Sequence, residues 1–216
     1  MISKALLGVF LILTLAGQAV AEKVHLVAFG DSLTVGYGLS EADGFVPVLR
    51  AWMAAQGEDV QIDNAGVSGD TTTGGLARLD WALSEGAQGI IIEMGANDML
   101  RGVDPAVARR NLDAMLQRVA ARGLDVLLVG MPVAANYGAD YKAEFEAIWP
   151  DLAERWGVTL YPNYFAGLGE SQIDILDDMQ GDGIHPNAEG VEKIVDAIGP
   201  EVQAMVARIR AKDAQK

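Results

Sequence analysis

Three side chains in this sequence are typed and spaced for nucleophilic acyl chemistry. Ser32 leaves an apolar run and stands two residues after Gly30, in Gly30-Asp31-Ser32-Leu33-Thr34. A serine at the exit of a buried strand, preceded by a glycine that permits a sharp turn, presents its hydroxyl at the strand's carboxyl end. Alone, the fragment reads equally well as a serine capping the next segment. Asp182 and His185 lie far downstream in Asp182-Gly183-Ile184-His185-Pro186-Asn187. A carboxylate three residues before an imidazole, with a glycine between them, can hold Nδ1 and leave Nε2 outward as a general base. Without Ser32, His185 is also compatible with a solvated loop histidine. His25 is the other histidine; its neighbours Val24 and Leu26 give it a structural role.

Acyl transfer also needs donors for a developing oxyanion. Gly69, in Asn64-Ala65-Gly66-Val67-Ser68-Gly69-Asp70-Thr71, can turn its N–H toward a site, and Asn97, in Gly95-Ala96-Asn97-Asp98, can aim a side-chain amide into the same space. Each has a plainer reading, a turn glycine and a loop-capping asparagine. No G-x-S-x-G elbow occurs, which argues against an α/β-hydrolase.

The elements that must position these residues form one alternating series. Apolar, β-rich runs cover 24–29, 60–64, 89–94, 125–130 and 158–161; helical patterns cover 45–56, 72–84, 105–122, 140–156 and 188–210, with a break expected at Gly199-Pro200. Near-continuous apolar runs are typical of parallel strands buried on both faces, so the expected fold is a three-layer α/β/α sandwich around a five-stranded parallel sheet. Ligands bind such sheets at the carboxyl ends of the strands. A stretch of about twenty residues, 162–185, lacks periodicity, and loops of that length are usually functional.

Composition narrows the chemistry. The 216 residues carry a net charge of −14 and contain no cysteine, which excludes thiolate nucleophiles, cysteine metal sites and disulfides. Such a charge argues against a nucleic-acid or anionic-membrane footprint. Near the start, Lys4 precedes an apolar run ending in Ala19-Val20-Ala21, the pattern of a secretory signal cleaved after Ala21. Cleavage would leave a single 195-residue domain, 22–216, of net charge −15, exported to the periplasm or secreted, without stable membrane insertion.

Taken together, Ser32, Gly69, Asn97 and the Asp182/His185 pair resemble, in order and spacing, the SGNH or GDSL hydrolase superfamily. The similarity runs from about Val24 to the last helix. Gly36-Tyr37-Gly38, Ser68-Gly69-Asp70-Thr71 and Ala135-Asn136-Tyr137-Gly138 are most similar to its periplasmic branch of acyl thioesterase/lysophospholipases and arylesterases. One departure is Ala96, where many relatives carry a second glycine. The resemblance implies a flavodoxin-like fold, a nucleophile at Ser32, a base at His185 oriented by Asp182, and an oxyanion hole from the Ser32 and Gly69 N–H groups and Asn97. It implies short to medium acyl esters, aryl esters, lysophospholipids and acyl-CoA as substrates. The negative charge ranks neutral esters above polyanionic acyl-CoA.

Aliphatic and flexible side chains on the same loops are the candidates for an acyl pocket: Leu76, Met99, Leu100, Met131 to Tyr137, Ile173, Ile175, Leu176 and Met179. No cofactor or metal is expected, and a monomer is the expected form. Three other readings remain at this stage: a carbohydrate O-acetylesterase of the same superfamily, a metal-dependent phosphoesterase built on Asp31, Asp98 and Asp182, and a non-catalytic binding module.

Overall fold

The structure, a computed structural model, describes residues 23–83, 85–133, 135–169 and 172–215, with the side chains of 135 and 172–174 outside the description. The expected signal segment, 1–21, lies outside the described residues.

The chain runs β1 (Val24–Gly30), α1 (Ser32–Val35), α2 (Phe45–Ala55), β2 (Val60–Gly66), α3 (Thr72–Ala82), β3 (Gly89–Glu93), α4 (Ala96–Leu100), α5 (Pro105–Ala121), β4 (Asp125–Val129), α6 (Ala139–Glu146), α7 (Ile148–Trp156), β5 (Thr159–Tyr161), α8 (Gln172–Asp177) and α9 (Ala188–Asp213). The five strands pair in the order β2-β1-β3-β4-β5, all parallel. Burial follows position in the sheet. The central strands β3 and β4 are buried at every residue, whereas the edge strand β2 alternates between buried and exposed positions. Helices α2 and α9 pack together on one face, and α3, α5 and α7 on the other, which gives the expected three layers.

The order reverses between β1 and β3, because β1 connects outward to β2 and the chain then crosses back. Open α/β sheets bind ligands in the crevice at such a switch point. Ser32 follows β1 and Asn97 follows β3, so both stand at the mouth of that crevice.

Two expected helices depart from the pattern, both at prolines, and the stretch 162–185, expected as a loop, contains the short helix α8. The segment 140–156 divides into α6 and α7 at Ala147, which places Pro150 in the first turn of α7, where its missing N–H leaves no hydrogen bond unmade. The break expected at Gly199-Pro200 does not occur: α9 runs continuously with Pro200 inside it. Ten residues of α9 from Gly190 to Ile209 are buried on both sides of the proline, and the Trp52 ring lies against Gly199 so closely that a Cβ there would meet it at 2.7 Å. Burial at roughly 1.5–3 kcal/mol per large apolar side chain exceeds the ~3 kcal/mol cost of an internal proline.

Candidate active site

Ser32 is the first residue of α1, and Asp31 caps that turn by accepting the Leu33 N–H at 3.0 Å. The catalytic candidates, 153 residues apart, meet directly: Ser32 Oγ lies 2.9 Å from His185 Nε2, and His185 Nδ1 lies 2.7 Å from Asp182 Oδ2. The second Asp182 oxygen accepts the backbone N–H groups of Ile184 and His185 at 2.9 and 3.0 Å. Gly183 permits that tight turn with φ of 67°. The hydrogen bond from the His185 ring, followed by those two backbone donors, lowers the Asp182 carboxyl from its ordinary value to about 2. It is therefore an anion behind the imidazole at neutral pH, which holds the ring with Nε2 facing the serine.

Asn97, in α4, places its side-chain nitrogen 3.0 Å from Asp31 Oδ2, and it shares a cavity wall with Ser32. An amide nitrogen carries two hydrogens, so donation to Asp31 leaves one for a ligand. Gly69 has φ of 78°, and the Arg101 guanidinium donates to its carbonyl at 2.7 Å, tying this loop to the end of α4. Gly69 is not part of the cavity wall. Arg78 reinforces the same loop: it donates to the Gly30 and Ala65 carbonyls, both at 2.8 Å, and pairs with Asp70 at 2.6 Å. Asp98 accepts the backbone and hydroxyl hydrogens of Thr72 at 2.8 and 2.6 Å, fastening α4 to the start of α3.

Beneath the serine lies an acidic pair. Glu93, last residue of β3, is 1% exposed and Asp31 is fully buried. Glu93 Oε2 accepts the Thr34 hydroxyl at 2.9 Å, and its Oε1 is buried without a partner. Burial, and then the charge of Asp31, push the Glu93 carboxyl well above the usual range. Burial also raises Asp31, opposed by the donors Leu33 N–H and Asn97. Tyr164, buried alongside, donates its hydroxyl to the Leu33 carbonyl at 3.4 Å. Glu93 was missed by sequence reasoning; the one signal for it is a carboxylate closing the apolar run Gly89-Ile90-Ile91-Ile92. Nothing in the sequence pointed to Arg78.

A cavity of about 180 Å³ opens beside Ser32 and Asn97. Of the residues expected to line a pocket, Met99, Leu100, Met131, Pro132 and Met179 do so, together with Phe165 and Ile184, which were not foreseen. Leu76, Ile175, Tyr137 and Leu176 are elsewhere. Leu76 and Ile175 pack half-buried against the core, the Tyr137 ring stacks on Tyr141 at 5.4 Å, and Leu176 is 55% exposed on α8. Their apolarity packs α3, α8 and the turn at Tyr137 against the core or, for Leu176, stays at the surface. The Ile173 side chain lies outside the described residues. Asp31, Asp98 and Asp182 are each engaged by different donors, and no cluster of three metal-type ligands occurs among the described residues. His25 pairs with Asp63 at 2.7 Å across β1 and β2, away from the serine, consistent with the structural role expected of it.

Residues 28–193 match the GDSL-like lipase/acylhydrolase family. The chain belongs to that family. Among similar proteins of the GDSL family, an arylesterase of Vibrio mimicus is 36% identical over 197 residues, covering 91% of this chain and 95% of the relative. The thioesterase 1/protease 1/lysophospholipase L1 of Escherichia coli strain K12 is 34% identical over 200 residues, covering 91% and 92%. The crystal structure of TesA superimposes with a TM-score of 0.77 at 36% identity, covering 84% of this chain and 99% of that one. This GDSL-family chain is thus an ester hydrolase on the α/β scaffold its relatives share.

Proposed function

We propose that the chain hydrolyses small acyl esters through an acyl-enzyme on Ser32. His185 takes the hydroxyl proton as Ser32 attacks the carbonyl, and Asp182 stabilises the imidazolium. The tetrahedral oxyanion is held by the Ser32 and Gly69 N–H groups and by the free hydrogen of the Asn97 amide. Collapse breaks the ester C–O bond as the His185 imidazolium gives its proton to the leaving oxygen, releasing the alcohol, and water activated by the same imidazole then releases the acid and returns the proton to Ser32. The observation that carries this reading is the unbroken chain from Asp182 through His185 to Ser32 at 2.7 and 2.9 Å, opening onto an apolar cavity.

The cavity volume supports a short to medium acyl group. About 180 Å³ is below the roughly 300–1,000 Å³ that encloses a drug-sized ligand, so a long chain would extend past Leu100 and Ile184 into solvent. Aryl esters, lysophospholipids and acyl thioesters present the same carbonyl to the same serine. The apolar start of the sequence supports export to the periplasm or medium, and no helix among the described residues is long and apolar enough to cross a membrane.

Ser32→Ala tests the reading. Turnover of a p-nitrophenyl acyl ester is expected to fall by about 10⁶-fold, and a fluorophosphonate that labels the parent enzyme is expected not to label the variant. Turnover retained by the variant, or phosphonate on another residue, rejects it.

A further inference from the structure

The nucleophile and the base reach the site on segments distant in the chain, and one side chain bridges them. The turn bearing Asp182 and His185 is closed by Gln180: its N–H donates to the His185 carbonyl at 2.7 Å, and its carbonyl accepts the Gly183 N–H at 2.9 Å. Just outside this turn Met179 and Pro186 form an antiparallel bridge. The Gln180 side-chain nitrogen then spends both of its hydrogens on carbonyls from two different segments, Tyr37 at 2.8 Å and Pro186 at 2.9 Å.

Tyr37 belongs to the nucleophile's segment, since the Gly36 and Tyr37 N–H groups both donate to the carbonyl of Ser32, at 3.2 and 3.0 Å. Its ring lies against the imidazole of His185, with centroids 4.7 Å apart. The fit at Gly38 is close: a Cβ there would stand 2.2 Å from Gln180 Oε1, so the carboxamide occupies the place a side chain would fill. Hydrogen bonds alone therefore lead from Ser32 through Tyr37 and Gln180 to His185.

We infer that Gln180 is a positioning residue whose carboxamide clamps the Tyr37 turn to the histidine turn and so sets the approach of His185 to Ser32. The inference rests on the proposed roles of those two residues. A pair held only by its own 2.9 Å contact would wander with the loop from β5 to α9; with the clamp, the two turns move as one body, and the Tyr37 ring keeps the imidazole from tilting away from the serine. A misplacement of about 1 Å at reacting atoms costs on the order of 10²-fold in rate, and this is the scale of effect the clamp controls.

The test uses the full-length enzyme, a p-nitrophenyl acyl ester and a fluorophosphonate. Gln180→Met keeps length without donors, and Gln180→Glu keeps shape while offering only acceptors at neutral pH. Both are expected to lose roughly 10- to 100-fold in kcat with KM within about twofold, because the apolar cavity is untouched. Because Gln180 bonds the backbone carbonyl of Tyr37, Tyr37→Ala keeps the clamp and serves as the contrast: the Gln180 variants are expected to lose kcat even with the Tyr37 ring absent. If either folded Gln180 variant keeps the kcat of its own background, or if the loss lies in KM alone, the clamp is rejected. Phosphonate labelling separates the two levels: parent enzyme labelled elsewhere than Ser32 rejects the catalytic assignment, whereas labelling at Ser32 with unaffected Gln180 variants rejects the clamp alone.

Discussion

Asn97 donates its side-chain amide to the Asp31 carboxylate at 3.0 Å, so the residue before Ser32 orients an amide in the wall of the cavity. Asp31 at once caps the serine's turn through Leu33 and aims the amide that, in the proposed mechanism, donates to the oxyanion. The donor is thus preorganised before substrate arrives, which is what makes such groups effective in a dry site.

Asn97→Ala is accordingly expected to reduce kcat by about 10²- to 10³-fold with little change in KM, since the amide interacts more strongly with the oxyanion than with the ground-state carbonyl. Steady-state kinetics on one p-nitrophenyl ester decides it. A rise in KM at constant kcat would make Asn97 a ground-state contact.

Glu93 supplies a prediction about stability. Its raised carboxyl means that the folded protein holds this proton more tightly than the unfolded chain, in which the ordinary value is 4.5. Its contribution is therefore fully present below 4.5 and declines as pH rises toward the folded value. Glu93→Gln keeps an acceptor for Thr34 and removes the titration. The melting temperature of the variant relative to the parent is expected to climb as pH is raised from about 5 to about 8. A difference that stays flat over this range shows that Glu93 is ionised in the fold throughout.

Asp182 titrates in the opposite sense. Its carboxyl is depressed from 3.8 to about 2, so the stability it contributes is complete above 3.8 and is lost as pH falls from there toward 2. The melting curves of the parent and Asp182→Asn are expected to differ by a constant amount above about pH 4 and to converge below it. Convergence already near neutral pH would mean that the carboxylate lacks its three donors in solution.

How far these features could be read from the chain depends on where their partners lie. The Asp182/His185 pair was legible because its geometry is local, three residues with a glycine between. The five strands and the crevice were legible because Ile90, Ile91 and Ile92, or Val126, Leu127 and Leu128, have no polar face to show. Gln180 and Arg78 were not legible, since their partners at Tyr37 and Gly30 are 143 and 48 residues away and neither residue type signals a clamp. Leu76, Tyr137 and Leu176 were assigned to the pocket from apolarity and loop position alone. Apolarity does not reveal which side chains reach the cavity, and these three do not line it. The continuity of α9 through Pro200 escaped local rules for a related reason, because the burial that holds it comes from Trp52 on another helix.

Substrate choice yields the last prediction. Acyl-CoA and a neutral p-nitrophenyl ester can bring the same acyl group to Ser32, but only the first brings a polyanion to a protein of net charge −14. Close to the site, the cation Arg101 is already drawn onto the Gly69 carbonyl at 2.7 Å, while Asp182 is a fixed anion. Repulsion between like charges slows encounter and weakens as salt screens it: the Debye length falls from about 30 Å at 0.01 M to about 8 Å at 0.15 M ionic strength. The kcat/KM for acyl-CoA is therefore expected to lie below that for the neutral ester of equal chain length at low salt and to rise as salt is added, while the neutral ester stays nearly constant. The comparison, run at both ionic strengths with matched acyl chains, isolates electrostatics from pocket fit. A preference for acyl-CoA at low salt would require a local cationic field that outweighs the net charge, and would reverse the ranking.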